Sequence, residues 1–74
     1  MITKLDTKGL LCPLPVLKAR KTLSKLARGD ILHVFATDLA AIVDIPHYCA
    51  ETDHILLEIE EQSDGVTLYK IEKS

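Results

Sequence analysis

The chain has 74 residues, read as one domain over residues 1–74, with 9 basic and 11 acidic side chains and a net charge of −2. A chain this short buries only about 60% of the surface its unfolded form exposes, so an enclosed substrate cavity is excluded and any active group belongs near the surface. Interleaved charges and a pI near 5.8 argue against a concentrated nucleic-acid-binding face, and no stretch approaches the roughly 20 apolar residues of a membrane span.

In chain order, residues 2–6 read as a short edge strand, and Lys8-Gly9 as a turn. Leu10-Leu11 then leads into Cys12-Pro13-Leu14-Pro15. From about residue 13 to 27 the pattern is helical: Val16, Ala19, Leu23 and Leu26 share one face, with Lys18, Lys21 and Lys25 largely off it. Arg28-Gly29-Asp30 supplies the stop. Ile31 to Ala36 alternates as a strand with Leu32, Val34 and Ala36 on an apolar face, and Asp38 then suits the N-cap of a second helix to about residue 50. Pro46 falls inside that helix and predicts a bend there. Residues 55–61 and 66–72 read as two further strands. Gln62-Ser63-Asp64-Gly65, with its Asp-Gly pair, is the hairpin between them.

The order βαβαββ predicts an α+β fold: a two-layer α/β sandwich with a four-stranded mixed sheet and both helices on one face. A helical crossover makes the first two strands parallel, so their carboxyl ends and the N-termini of the following helices share one rim. Cys12 and Asp38 both fall on that rim. The other sheet face is expected to be partly open, exposing Ile31, His33 and Phe35.

Two cysteines 37 positions apart make neither a disulfide framework nor a C-x-x-C motif. Met1 to Asp6 lacks the apolar run of a signal peptide, so a reduced, cytoplasmic protein is expected. Taking Cys12 as N-cap puts Pro13 at the first helical position, where its missing N–H costs nothing, and pairs Leu11 with Val16 as a hydrophobic staple. Unpaired N–H groups and the positive end of the helix dipole at that mouth favour thiolate, with Leu14 N–H as the main donor toward the sulfur. The residues alone leave two readings of Cys12 open, a reactive thiol or a small buried hydrophobe among Leu10, Leu11 and Leu14. Lys8, Arg20 and Lys21 are the nearest cations in sequence.

With Cys-Pro-x-Pro placed after an N-terminal strand, the chain resembles the TusA-like sulfur carriers, the SirA/TusA family. The resemblance runs from about Leu5 to Ile71 through Gly9-Leu10, Arg20-Lys21, Gly29-Asp30, Asp38, Asp44-Ile45, Cys49 and His54. It implies the βαβαββ fold and a sulfurtransferase-type relay in which Cys12 carries sulfur as a persulfide and Pro13 and Pro15 scaffold it. The implied donor is a cysteine desulfurase or rhodanese-type protein, and the implied acceptor is a downstream protein of tRNA thiolation, molybdenum-cofactor maturation or another sulfur-trafficking route. Lys18, Arg20, Lys21 and Asp38 are candidate docking residues, and the carrier is expected to be a monomer without cofactor or bound metal. Leu11 and Leu14 depart from the arginine and glutamate of the tRNA-thiolation members, which predicts a different docking partner.

The remaining candidates read as structural. Cys49 lies in register with Ile42 and Ile45 on an apolar stripe, so a buried thiol is expected. His47 is about 200° around the helix from Cys49 and cannot share a metal with it. Asp44 reads as solvated helix face, and Glu58, Glu60 and Glu61 as the solvated end of a strand. Two other function classes fit the composition less well. One is a non-catalytic interaction module using the open sheet face; the other is an RNA-binding domain, disfavoured by the acidic balance and only three aromatics.

Overall fold

The computed structural model describes residues 1–74. Six elements follow the predicted order: β1 (Ile2–Thr7), α1 (Leu14–Leu23), β2 (Ile31–Ala36), α2 (Ala41–Thr52), β3 (Ile55–Glu61) and β4 (Thr67–Glu72). The sheet order is β1-β2-β4-β3, with β1 parallel to β2 and the other two pairs antiparallel. This is the predicted α+β sandwich with a mixed four-stranded sheet.

Period-2 alternation decides which way each strand faces. Leu32, Val34 and Ala36 of β2 are buried under the helices, and their register partners Tyr69 and Ile71 of β4 continue the same face. Ala19 and Leu23 of α1 and Ala41, Ile45 and Cys49 of α2 close the core from above. Each of the large side chains there contributes on the order of 1.5–3 kcal/mol by leaving water, which a chain this small needs. The Tyr69 hydroxyl is buried without a hydrogen-bond partner. Burial, and then the nearby Asp38 carboxylate, push its pKa up and keep it protonated.

The second hairpin shows how sequence forces an irregularity. In Ile55–Glu61 the half-buried Leu56 and the more exposed Ile59 pair with core-facing residues of β4 yet are three apart, which simple alternation cannot place on one face. A bulge between Leu56 and Glu58 resolves this, so that Leu56 pairs with Ile71 and Ile59 with Tyr69. Glu58 and Glu60 are thereby turned to the opposite face, where both reach the Lys70 ammonium at 2.9 and 3.4 Å. The turn itself has positive φ at Asp64 (59°) and Gly65 (75°), and Val66 N–H closes onto the Ser63 carbonyl at 3.3 Å. That is the type I′ geometry an Asp-Gly pair favours.

Several expectations need correction. α1 ends at Leu23 rather than near residue 27, because Ser24 turns its hydroxyl back onto the Lys21 carbonyl (2.6 Å) and the next N–H groups switch to i−3 acceptors. The Lys73 ammonium then donates to the Leu23 carbonyl at 2.8 Å, a cation at the negative helix end. α2 runs unbroken through Pro46 to Thr52, two residues beyond the expected end, and stops where Asp53 adopts φ +64°. Its buried stripe is Ala41, Ile45 and Cys49, whereas Ile42 is exposed. On the far face of the sheet Ile31, His33 and Phe35 are half-buried rather than exposed, and Leu68 beside Phe35 is buried.

Candidate functional site

The parallel pairing of β1 and β2 brings the loop before α1 against the loop before α2, and a series of hydrogen bonds ties the two together. Thr7, fully buried at the end of β1, donates its hydroxyl to the Phe35 carbonyl at 2.7 Å. Gly9 N–H donates to the Thr37 hydroxyl oxygen at 2.9 Å, with Gly9 at φ +82°, a turn that only glycine adopts freely. Cys12 N–H donates to one Asp38 carboxylate oxygen at 2.5 Å, and Ala40 N–H reaches the other at 3.3 Å. Asp38 therefore clamps the cysteine backbone with one oxygen and the start of α2 with the other.

That clamp revises the expected cap. The helical residues of α2 begin at Ala41 after a tight turn in which Ala41 N–H bonds the Asp38 carbonyl at 3.1 Å. Asp38 caps this turn rather than the α-helix proper. The α1 end differs from expectation as well. Its N-cap is Pro13, Pro15 stands in the first turn and no side chain caps it, so Cys12 lies one residue outside the helix. The Cys12–Pro13 peptide bond is cis. Leu14 N–H, expected to point at the sulfur, instead donates to the Leu11 carbonyl at 2.9 Å. Leu11 is 70% exposed, so no staple with Val16 forms.

Cys12 is exposed, which rules out the reading of it as a buried hydrophobe. Its sulfur lines a shallow groove of about 260 Å³ with Pro13 and Val16 on one side and Asp44, His47, Tyr48 and Glu51 of α2 on the other. The thiol donates to the Asp44 carboxylate at 2.6 Å. This contact was absent from the sequence reading, which left Asp44 on a solvated face. The shared rim offered the signal that could have found it, because the first turn of α2 must lie beside the residue preceding α1.

The electrostatics at the sulfur run opposite to expectation. The Asp44 hydrogen bond, partial desolvation and the negative charges of Asp44 and Asp38 all push the Cys12 pKa up. A helix N-terminus contributes about half a positive charge spread over its N–H groups. Here a whole carboxylate is in contact with the sulfur, and the Leu14 N–H is committed elsewhere. The carboxylates win, and Cys12 rests as the neutral thiol.

The other predicted residues divide. Arg20 does not line the groove, but its charge reaches Tyr48 and lowers that pKa against a larger upward push from burial. Lys18 and Lys21 are exposed on α1 and do not line it. His47 is engaged by Glu51 at 2.9 Å. Cys49 is buried, as expected, and burial alone raises its pKa. No group of three or more His, Cys, Asp or Glu side chains is arranged to hold a metal ion. No helix is long and apolar enough to cross a membrane.

Fold and rim together define a small α+β protein that presents a proline-flanked thiol at the mouth of its first helix. The sequence matches the family model described as sulfurtransferase TusA over residues 3–73, and the chain belongs to that family. A SirA-like protein from Desulfitobacterium hafniense has the same fold in its crystal structure, with a TM-score of 0.86 and 26% identity, covering 97% of this chain and 96% of that one. The sulfur carrier protein TusA of Allochromatium vinosum is 41% identical over 71 residues, which is 96% of this chain and 92% of that protein. A protein of Neisseria meningitidis serogroup A, provisionally named a sulfur carrier, is 50% identical over 62 residues, 84% of this chain and 82% of its own length.

Proposed function

We propose that the chain is a sulfur carrier that takes up a sulfane sulfur as a persulfide on Cys12 and delivers it to an acceptor protein. Membership of the TusA family supports the role, and relatives named as sulfur carriers support it further. The observation that carries the assignment to this atom is the exposed Cys12 sulfur, held in an open groove by backbone bonds on a rim a second protein can approach.

In loading, Cys12 sulfur attacks the terminal sulfur of a donor persulfide, R–S–SH. The bond from that sulfur to the donor cysteine breaks, and its electron pair leaves with the donor sulfur. The proton displaced from Cys12 ends on the donor, giving Cys12–S–SH and R–SH. No net oxidation occurs, as in thiol–disulfide exchange. Asp44, already accepting the thiol hydrogen, is placed to take that proton as the S–S bond forms.

The donor is a cysteine desulfurase or rhodanese-type protein, and the setting a reducing cytoplasm. Docking uses an apolar collar of Leu11 and Leu14, exposed side chains that flank Cys12 in sequence, with Arg20 near Tyr48. Lys18 and Lys21 extend that surface along α1. Intact mass after incubation with a desulfurase and cysteine tests the proposal. A gain of one sulfur atom mapped to Cys12, absent in Cys12→Ser, is expected. Equal uptake by Cys12→Ser, or none by the native protein, sinks it.

A further inference from the structure

The geometry points to Asp44 as a load-sensing latch: it holds the Cys12 side chain against α2 while the sulfur carries a proton, and releases it when sulfur is loaded. This rests on the carrier reading above and adds a regulatory step to it.

The inference starts from how differently the two carboxylates grip the same residue. Asp38 accepts the backbone N–H of Cys12, a group that loading does not change. Asp44 accepts the side-chain S–H, the one hydrogen that the chemistry removes. The loaded Cys12–S–SH is a stronger acid than the thiol and gives its proton to solvent, leaving Cys12–S–S⁻. The persulfide anion has nothing to donate to Asp44, and an uncompensated negative charge within contact distance of a carboxylate is repelled.

The remaining groove offers that anion no shelter. Facing it from α2 are Asp44, Glu51, Tyr48 and His47, and His47 is already paired with Glu51. From the loop before α2 comes Asp38, and the α1 cation whose charge reaches a groove residue is Arg20, which acts on Tyr48. The anion therefore swings away from α2 toward solvent, where Leu11 and Leu14, its exposed neighbours in sequence, form the apolar surroundings. Its backbone stays clamped by Asp38, so the movement is confined to the side chain. An unloaded carrier tethers its exposed sulfur to α2, and a loaded one displays a terminal sulfur at the apolar collar. An acceptor that reads the collar thereby binds the loaded form in preference to the empty one.

The test is NMR of the full chain before and after loading with inorganic polysulfide, with intact mass recorded on the same sample. The Asp44 carboxyl carbon and the amides of residues 41–45 are expected to shift on loading. Hydrogen exchange at the Cys12 amide, bonded to Asp38, should be the same before and after loading. In Asp44→Ala the load-dependent shifts in α2 disappear, and the empty protein alkylates with iodoacetamide several-fold faster at neutral pH. A mass gain at Cys12 with the Asp44 carbon unmoved refutes the latch and leaves the carrier intact. So does a mass gain with identical α2 shifts in Asp44→Ala. No mass gain in the native protein refutes both.

Discussion

The two cysteines of this chain are each driven toward the neutral thiol, by different leading causes. At Cys49 the cause is burial under α2, beside Ala41 and Ile45. At Cys12 it is a carboxylate in contact with an exposed sulfur. Burial is a property of the whole fold and changes only when the fold opens. A contact with Asp44 can be broken by one proton transfer or by an incoming partner. The same direction of pKa thus marks an inert atom at one site and a controllable one at the other, and a pKa alone would not tell them apart.

The largest expected effect is in labelling. Iodoacetamide on the native protein should modify Cys12 and leave Cys49 untouched except through global opening. Even a stability of about 5 kcal/mol keeps the open fraction near 10⁻³ to 10⁻⁴, so Cys49 should react slower by at least about three orders of magnitude. Comparable rates by peptide mapping would erase the distinction.

Next in size is Ile45→Ala. Ile45 is fully buried on the same helix as Cys49 and immediately follows Asp44, so its truncation weakens the seat of α2 from below. A loss of about 2–5 kcal/mol in urea unfolding is expected, with Cys49 labelled faster than in the native protein. A loss under about 1 kcal/mol would mean α2 is held chiefly by its loops rather than by the core.

What the sequence revealed follows the same division. Everything fixed by periodicity was legible: the six elements, the parallel β1/β2 pair, the buried faces of β2 and α1, and the Asp-Gly hairpin. The proline-flanked cysteine was legible as a motif on the rim. Its electrostatics were not, because they depend on which side chain of α2 falls opposite the sulfur, a matter of helix placement rather than spacing. Ile42 misled for a related reason. Successive i, i+4 spacing puts Ala41 on the face of Ile45 and Cys49, while Ile42 falls at the edge of that stripe and is exposed. The β3 bulge was implicit in the spacing of Leu56 and Ile59, but only the pairing with β4 shows where the extra residue goes.

A middle-sized effect separates clamp from latch. Asp38→Ala strips the Cys12 and Ala40 N–H groups of their acceptor and should cost about 0.5–2 kcal/mol, as loss of a helix cap does. Amide exchange at Cys12 should accelerate with it. The alkylation rate of native Cys12 should rise with pH through a midpoint above the ordinary thiol value of about 8.5. In Asp38→Ala that midpoint should fall less than in Asp44→Ala, since Asp38 acts on the sulfur only through its charge. A midpoint below the ordinary value in the native protein would return the argument to the helix dipole.

The smallest effect lies away from the sulfur rim, beside β3, and concerns a histidine whose protonation the fold opposes. His54 packs its ring on Tyr48 at 5.9 Å, and its Nδ1 accepts the Ser74 N–H at 3.2 Å. Burial, and then the Lys73 ammonium, push its pKa below 6.5. A histidine held neutral in the fold binds fewer protons than in the unfolded chain. Its contribution is therefore intact above the unfolded value and is lost as pH falls from about 6.5 toward the depressed one. Protonation also turns Nδ1 from acceptor to donor against Ser74 N–H, which loosens the C-terminal residues beside Lys73, the side chain that satisfies the Leu23 carbonyl. Urea midpoints of native protein and His54→Gln, compared between pH 7.5 and 5.5, should diverge on acidification, with the native protein losing more. Parallel lines would show that His54 titrates as freely in the fold as out of it. Alkylation of Cys12 should be indifferent to the same substitution, since its thiol answers to Asp44 and Asp38 and not to charges at the far end of α2.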